Sequence, residues 1–153
     1  MRGIQTVSIL LIAFGVASCS DDAPTNNTGN GGTFKNEVSA MVNGATWTAT
    51  SVIATRNDAG GLVILTFVAH GPNGSHIDFG IANASVKPFT IDGSSVQAAF
   101  EIGGKTFGHN QNATGSITVS ELTTKGIKGS FDISAQTSSG EAGTATGSFE
   151  AAF

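Results

Sequence analysis

Val63-Ile64-Leu65-Thr66-Phe67-Val68-Ala69-His70, Gly71-Pro72-Asn73-Gly74-Ser75 and His76-Ile77-Asp78-Phe79-Gly80-Ile81 follow one another in the chain, and their periodicity sets the fold class. Val63, Leu65 and Phe67 alternate with their neighbours, as do Ile77, Phe79 and Ile81, and a period of two is the mark of a strand with one buried face. The glycine- and proline-bearing segment between them reads as a five-residue hairpin loop. If Phe67 and Phe79 share the core face, residue 67 pairs with 79 and His70 stands opposite His76 on the outer face. Asp78 then lies two residues along the same side.

The same phase recurs outward in both directions. Phe34, Val38, Ala40 and Val42 form one apolar row, then Trp47, Ala49 and Ile53. Later come Val96, Ala98, Phe100 and Ile102, then Ile117 with Val119. Ile127, Phe131, Ile133 and Ala135 precede a closing row of Ala145, Phe149, Ala151 and Phe153. Ser and Thr fill most positions between. Asn43-Gly44 is a strong hairpin turn because both residues accept positive φ, and Gly60-Gly61, Asp92-Gly93, Lys125-Gly126 and Ser139-Gly140 mark further turns. The expectation is an all-β domain over residues 34–153 with about nine antiparallel strands, mostly paired in sequence, and a loop from Gly103 to Ala113. A single antiparallel β-sandwich and a flattened up-and-down barrel both bury one apolar face, and the alternation does not choose between them. Of ten Phe only Phe14 precedes Cys19, so the rest, with Trp47, are left to build the core.

Composition narrows the function. In 153 residues there are 21 Gly, 12% charged side chains and a formal net charge of -4, which excludes the basic stripe of a nucleic-acid binder. The single cysteine excludes a disulfide framework and a cysteine-rich zinc module.

That cysteine closes a distinctive leader. Arg2 supplies a positive start, Ile4 to Val16 is mostly apolar and too short to span a bilayer, and Ala17 and Ser18 are small. Val16-Ala17-Ser18-Cys19 resembles the lipobox of bacterial lipoproteins. The resemblance implies residues 1–18 as a signal peptide, cleavage between Ser18 and Cys19, and covalent lipid on Cys19 as the only attached group, with no other cofactor. Residues 19–33, from the lipidated cysteine through Ser20-Asp21-Asp22 to Gly31-Gly32-Thr33, bring no large apolar side chain and read as a flexible tether. The fourteen residues behind the cysteine would reach about 46 Å at full stretch.

Val42-Asn43-Gly44 with Trp47, Gly115-Ser116-Ile117-Thr118-Val119, Ile127-Lys128-Gly129-Ser130-Phe131-Asp132-Ile133 and Gly147-Ser148-Phe149 resemble a family of small Bacteroidota lipoproteins with a β-rich domain of unknown function. The resemblance covers most of residues 34–153. It implies an all-β fold and placement at the outer membrane or cell surface, and it transfers no catalytic residue.

A search for chemistry leaves little. No Gly-x-Ser-x-Gly elbow, P-loop, His-Glu-x-x-His or EF-hand loop occurs. Asn83-Ala84-Ser85 and Asn112-Ala113-Thr114 match the glycosylation sequon and read as loop residues. His70, His76 and Asp78 are weak candidates for a divalent metal, set against the plainer reading of a polar hairpin tip. Trp47, in phase with Ala49, reads as a core anchor rather than a sugar-stacking platform. His109 has no evident partner. The expected function is a non-enzymatic, lipid-anchored envelope protein whose β domain binds a protein or glycan or has a structural role. A lipocalin-like carrier of a small apolar ligand is the alternative, and a metal-dependent hydrolase has least support.

Overall fold

Side-chain alternation and turn length together admit one pairing for the central hairpin, and it forms. In the computed structural model, which describes residues 33–108 and 112–153, β4 (Leu62–His70) and β5 (His76–Ile81) pair antiparallel with Phe67 opposite Phe79 and His70 opposite His76. A single 3-10 turn, Pro72–Gly74, closes the loop, with Asn73 in the left-handed region that Asn tolerates at φ 55°. The leader, Cys19, most of the expected tether and His109 lie outside the described residues. The described residues form one compact unit.

Around this hairpin the chain builds β1 (Glu37–Val42), β2 (Ala45–Thr48), β3 (Ser51–Ala59), β6 (Pro88–Thr90), β7 (Val96–Ile102), β8 (Lys105–Phe107), β9 (Ala113–Leu122), β10 (Gly126–Gln136) and β11 (Ala142–Ala152). They form two antiparallel sheets, ordered β2-β1-β11-β10-β9-β6 and β3-β4-β5-β7-β8. Neither order returns to its starting strand, so the architecture is a sandwich and the barrel is set aside. The two inner faces meet in an aromatic layer. Phe67 and Phe79 stack at 4.5 Å from one sheet, and both meet Phe149 of the other at 5.1 and 5.0 Å. Phe149 in turn lies 6.5 Å from Phe131.

Four expectations need correction. Among the described residues the strands number eleven rather than about nine, because β6 and β8 are three-residue strands whose alternation is too brief to read. β8 occupies part of the expected loop: Gly103 and Gly104, both at positive φ, turn the chain tightly enough for Phe107 to stack on Phe100 at 4.8 Å. Ile53 points outward and is 56% exposed. The chain crosses from one sheet to the other between Thr48 and Ser51, which resets the phase, so Val52 and Ala54 turn inward instead. At the far end of the chain Phe153 lies past the last pairing and is 37% exposed. Among the described residues pairing is sequential for six of the nine strand pairs. β1 with β11, β5 with β7 and β6 with β9 are the long-range exceptions.

Candidate functional site

At the hairpin tip the structure brings the named groups together as the register requires. The His70 and His76 rings lie 6.3 Å apart, and His76 Nε2 is 3.6 Å from Asp78 Oδ1. Glu101 on β7 stands opposite His76, but its Oε2 accepts a bond from the Thr106 hydroxyl at 3.3 Å. Burial pushes the Asp78 carboxyl above its ordinary range, and the neighbouring His76 partly opposes this. Among the described residues no three His, Cys, Asp or Glu side chains are grouped closely enough to hold a metal ion.

Directly behind this tip sits Trp47. It is 4% exposed, and its indole Nε1 donates to Ser75 Oγ at 2.8 Å, while Ser75 Oγ donates to the Pro72 carbonyl at 2.6 Å. Gly71 lies flat against the indole, where a Cβ would collide with the ring. Trp47 is therefore a core anchor that ties β2 of one sheet to the hairpin loop of the other, and it offers no face to a sugar.

Alternation along the six-stranded sheet gathers hydroxyl side chains that are far apart in the sequence onto one outer face. Across the outer face, Thr48, Ser39, Ser148, Ser130 and Thr118 form one cross-strand row. Thr46, Met41, Thr146, Asp132, Ser116 and Thr90 form the next. Asp132 is the lone charge in either row. The sequence signal was present as Thr144-Ala145-Thr146-Gly147-Ser148, Ser130-Phe131-Asp132-Ile133-Ser134 and Thr114-Gly115-Ser116-Ile117-Thr118. Hydroxyls both donate and accept, so these two rows can bond a polar partner, while the row beside them, Glu37, Glu150, Lys128 and Glu121, is charged.

The two ends of the sandwich differ. The end holding the Asn43-Gly44, Gly103-Gly104 and Ser138–Gly140 turns carries a shallow cavity of about 430 Å³, bordered by Lys105, Thr106, Thr137, Ser138 and Glu141. Lys105 Nζ bonds both Glu141 oxygens there at 2.8 Å. At the opposite end the chain enters and leaves the domain. The Lys35 amide donates to Glu150 Oε1 at 2.7 Å, and the Ala152 amide donates to Asn36 Oδ1 at 2.9 Å. Lys128 Nζ lies 5.3 Å from the centre of the Phe34 ring and 3.5 Å from Glu150 Oε1. No helix among the described residues is long and apolar enough to cross a membrane.

Residues 35–151 match the family model described as Domain of unknown function (DUF6252). No curated protein and no solved structure matches the chain.

Proposed function

The chain belongs to the DUF6252 family, and from that premise we propose a lipid-anchored protein of the bacterial cell envelope whose sandwich is a non-catalytic binding or structural module. The observation that carries this reading is Val16-Ala17-Ser18-Cys19, an aliphatic residue, two small ones and the sole cysteine, placed directly after an apolar run. Signal peptidase cuts between Ser18 and Cys19, and the acylated sulfur holds the outer membrane. Two or more acyl chains anchor stably where one does not, since each buried methylene contributes about 0.8 kcal/mol.

The geometry of the domain supports this arrangement. The tether joins at Phe34, at the end of the domain opposite the Lys105–Glu141 cavity, so it does not obstruct that cavity. The hydroxyl face runs along the side and favours a glycan or protein partner over a nucleic acid. The space where a lipocalin-like ligand would sit is filled by Phe67, Phe79, Phe131 and Phe149, which disfavours the carrier. A hydrolase finds no support in the grouping at His70, His76 and Asp78.

Cys19→Ala tests the anchor. The expected outcome is release from the membrane fraction with the far-ultraviolet spectrum of the domain unchanged. Mass spectrometry of the parent chain should find a mature N-terminus at residue 19 carrying diacylglycerol. An unmodified thiol, or a variant that still sediments with membranes, overturns the reading.

A further inference from the structure

Four strands border the two sheets: β2 and β6 on one, β3 and β8 on the other. Three are stubs of four, three and three residues. Short edges are a common defence against unwanted pairing, because they offer too few free backbone groups to hold a neighbour. β3 lacks that defence. It runs nine residues without proline, keeps unbroken register with β4, and no strand among the described residues pairs with its other side. Three exposed large apolar side chains gather beside it on one outer face: Ile53, Leu62 and Ile64, exposed by 56, 49 and 40%.

We propose that this edge is a self-association surface, with β3 pairing antiparallel to β3 of a second copy about a two-fold axis at Asn57. A two-fold axis normal to the sheet keeps every residue on its own face, so outward residues must meet outward residues. The axis therefore falls at a residue position. Centred on Arg56, it sets two guanidinium groups opposite each other, which costs stability. Centred on Thr55, it leaves Arg56 facing Ala54 and Asp58 facing Val52, with no charge matched. Centred on Asn57, it sets each Arg56 opposite the other copy's Asp58. Within one chain Arg56, 20% exposed, already holds Asp58 at 3.0 Å and donates through Nη1 to the Thr123 carbonyl at 2.8 Å, while the Asp58 side chain remains 60% exposed towards a second copy. The four charges then alternate around the axis.

So short a seam buries less than the roughly 800 Å² per partner of a standard stable dimer. The association is therefore weak and depends on concentration.

Full chains carrying Cys19→Ser provide the test, since each then holds only an introduced thiol. Directly opposed residues have Cα atoms about 4.5–5.5 Å apart, inside the span a disulfide bridges. Asn57→Cys is expected to form a covalent dimer on mild oxidation, several-fold faster than Thr48→Cys on the outer face of the other sheet. Adding Asp58→Lys to Asn57→Cys should slow the crosslink several-fold by opposing like charges, with the circular dichroism spectrum unchanged. Equal crosslinking at residues 57 and 48, or a rate at 57 indifferent to Asp58→Lys, overturns the proposal. So does a monomer at every concentration in sedimentation equilibrium of the Cys19→Ser chain.

Discussion

Single side chains carry two separate kinds of information here. Trp47 was legible as a core residue from its phase with Ala49, but its partner was not, because Ser75 lies 28 positions away in a loop of the opposite sheet. Breaking the Trp47–Ser75 bond should leave a buried donor or acceptor unmet, at a cost of about 1–3 kcal/mol. Trp47→Phe and Ser75→Ala are thus each expected to lower the urea midpoint, followed by circular dichroism because the sole tryptophan is lost in the first. The double variant should cost less than the sum of the two, and strict additivity would dissociate the pair. Two aspartates give pH effects of opposite sign. Asp92 accepts bonds from the amides of Val96, Ser94 and Ser95, which hold its pKa at about 2 against an ordinary 3.8. Its stabilisation is present above the ordinary value and is lost as pH falls towards about 2. Asp78 is raised by burial, so the unfolded chain ionises first and the folded state is penalised once pH rises through the folded value. Asp92→Asn should therefore destabilise at pH 6 and be neutral in strong acid. Asp78→Asn should stabilise at pH 6 and also lose its effect in acid, as thermal midpoints across pH 2–6 would reveal.

Strands and turns were the most readable level, and their failures have a common cause. Alternation assigns a face only where enough residues repeat it, so β4, β5, β10 and β11 emerge clearly while the three residues of β8 do not. Phase also fails where the chain changes sheets, as at Ile53. Glycine within a strand reads as weak propensity, yet some of these positions are demanded by packing. A Cβ on Gly147 would collide with the Ser39 carbonyl on β1, and one on Gly129, at the bulge in the β9–β10 pairing, with the Thr118 carbonyl. Both obstacles are backbone, which cannot rotate aside. Gly60 differs: nothing lies within 4 Å of its Cβ position, and only its φ of 59° resists a side chain. Gly147→Ala and Gly129→Ala are each expected to cost about 1–3 kcal/mol by overpacking. Gly60→Ala should cost about 1 kcal/mol, the strain of the left-handed backbone alone. Chemical denaturation of the three variants ranks them, and a Gly60 variant as damaging as the other two would contradict this assignment.

At the scale of the molecule, alternation says which side chains are buried but not which strand lies beside which, and the closure of the first strand onto the last was out of its reach. β1 pairs β11 over six residues, with Val38 opposite Phe149, so the closing segment holds the six-stranded sheet together from its middle. The same Phe149 touches Phe67 and Phe79 across the interface, which makes it the side chain where both sheets meet. Removing its ring cannot be repaired by collapse, because the surrounding atoms belong to two sheets fixed by their own hydrogen bonds. Phe149→Ala is expected to cost about 3–5 kcal/mol, the range for deleting a fully enclosed ring. Domains of this size hold only about 5–15 kcal/mol in all, so the variant should be partly unfolded at physiological temperature. Phe89 provides the comparison: it sits half-buried on the β6 edge with Lys87 Nζ 4.9 Å from its ring centre, in contact with one sheet margin. Phe89→Ala should cost well under half as much, since part of its surface already faces water. The two denaturation midpoints decide the matter, provided the slope with denaturant is unchanged. Equal losses would mean that the sandwich is held by its edges as firmly as by its centre, and that the aromatic layer is filler rather than the joint between the sheets.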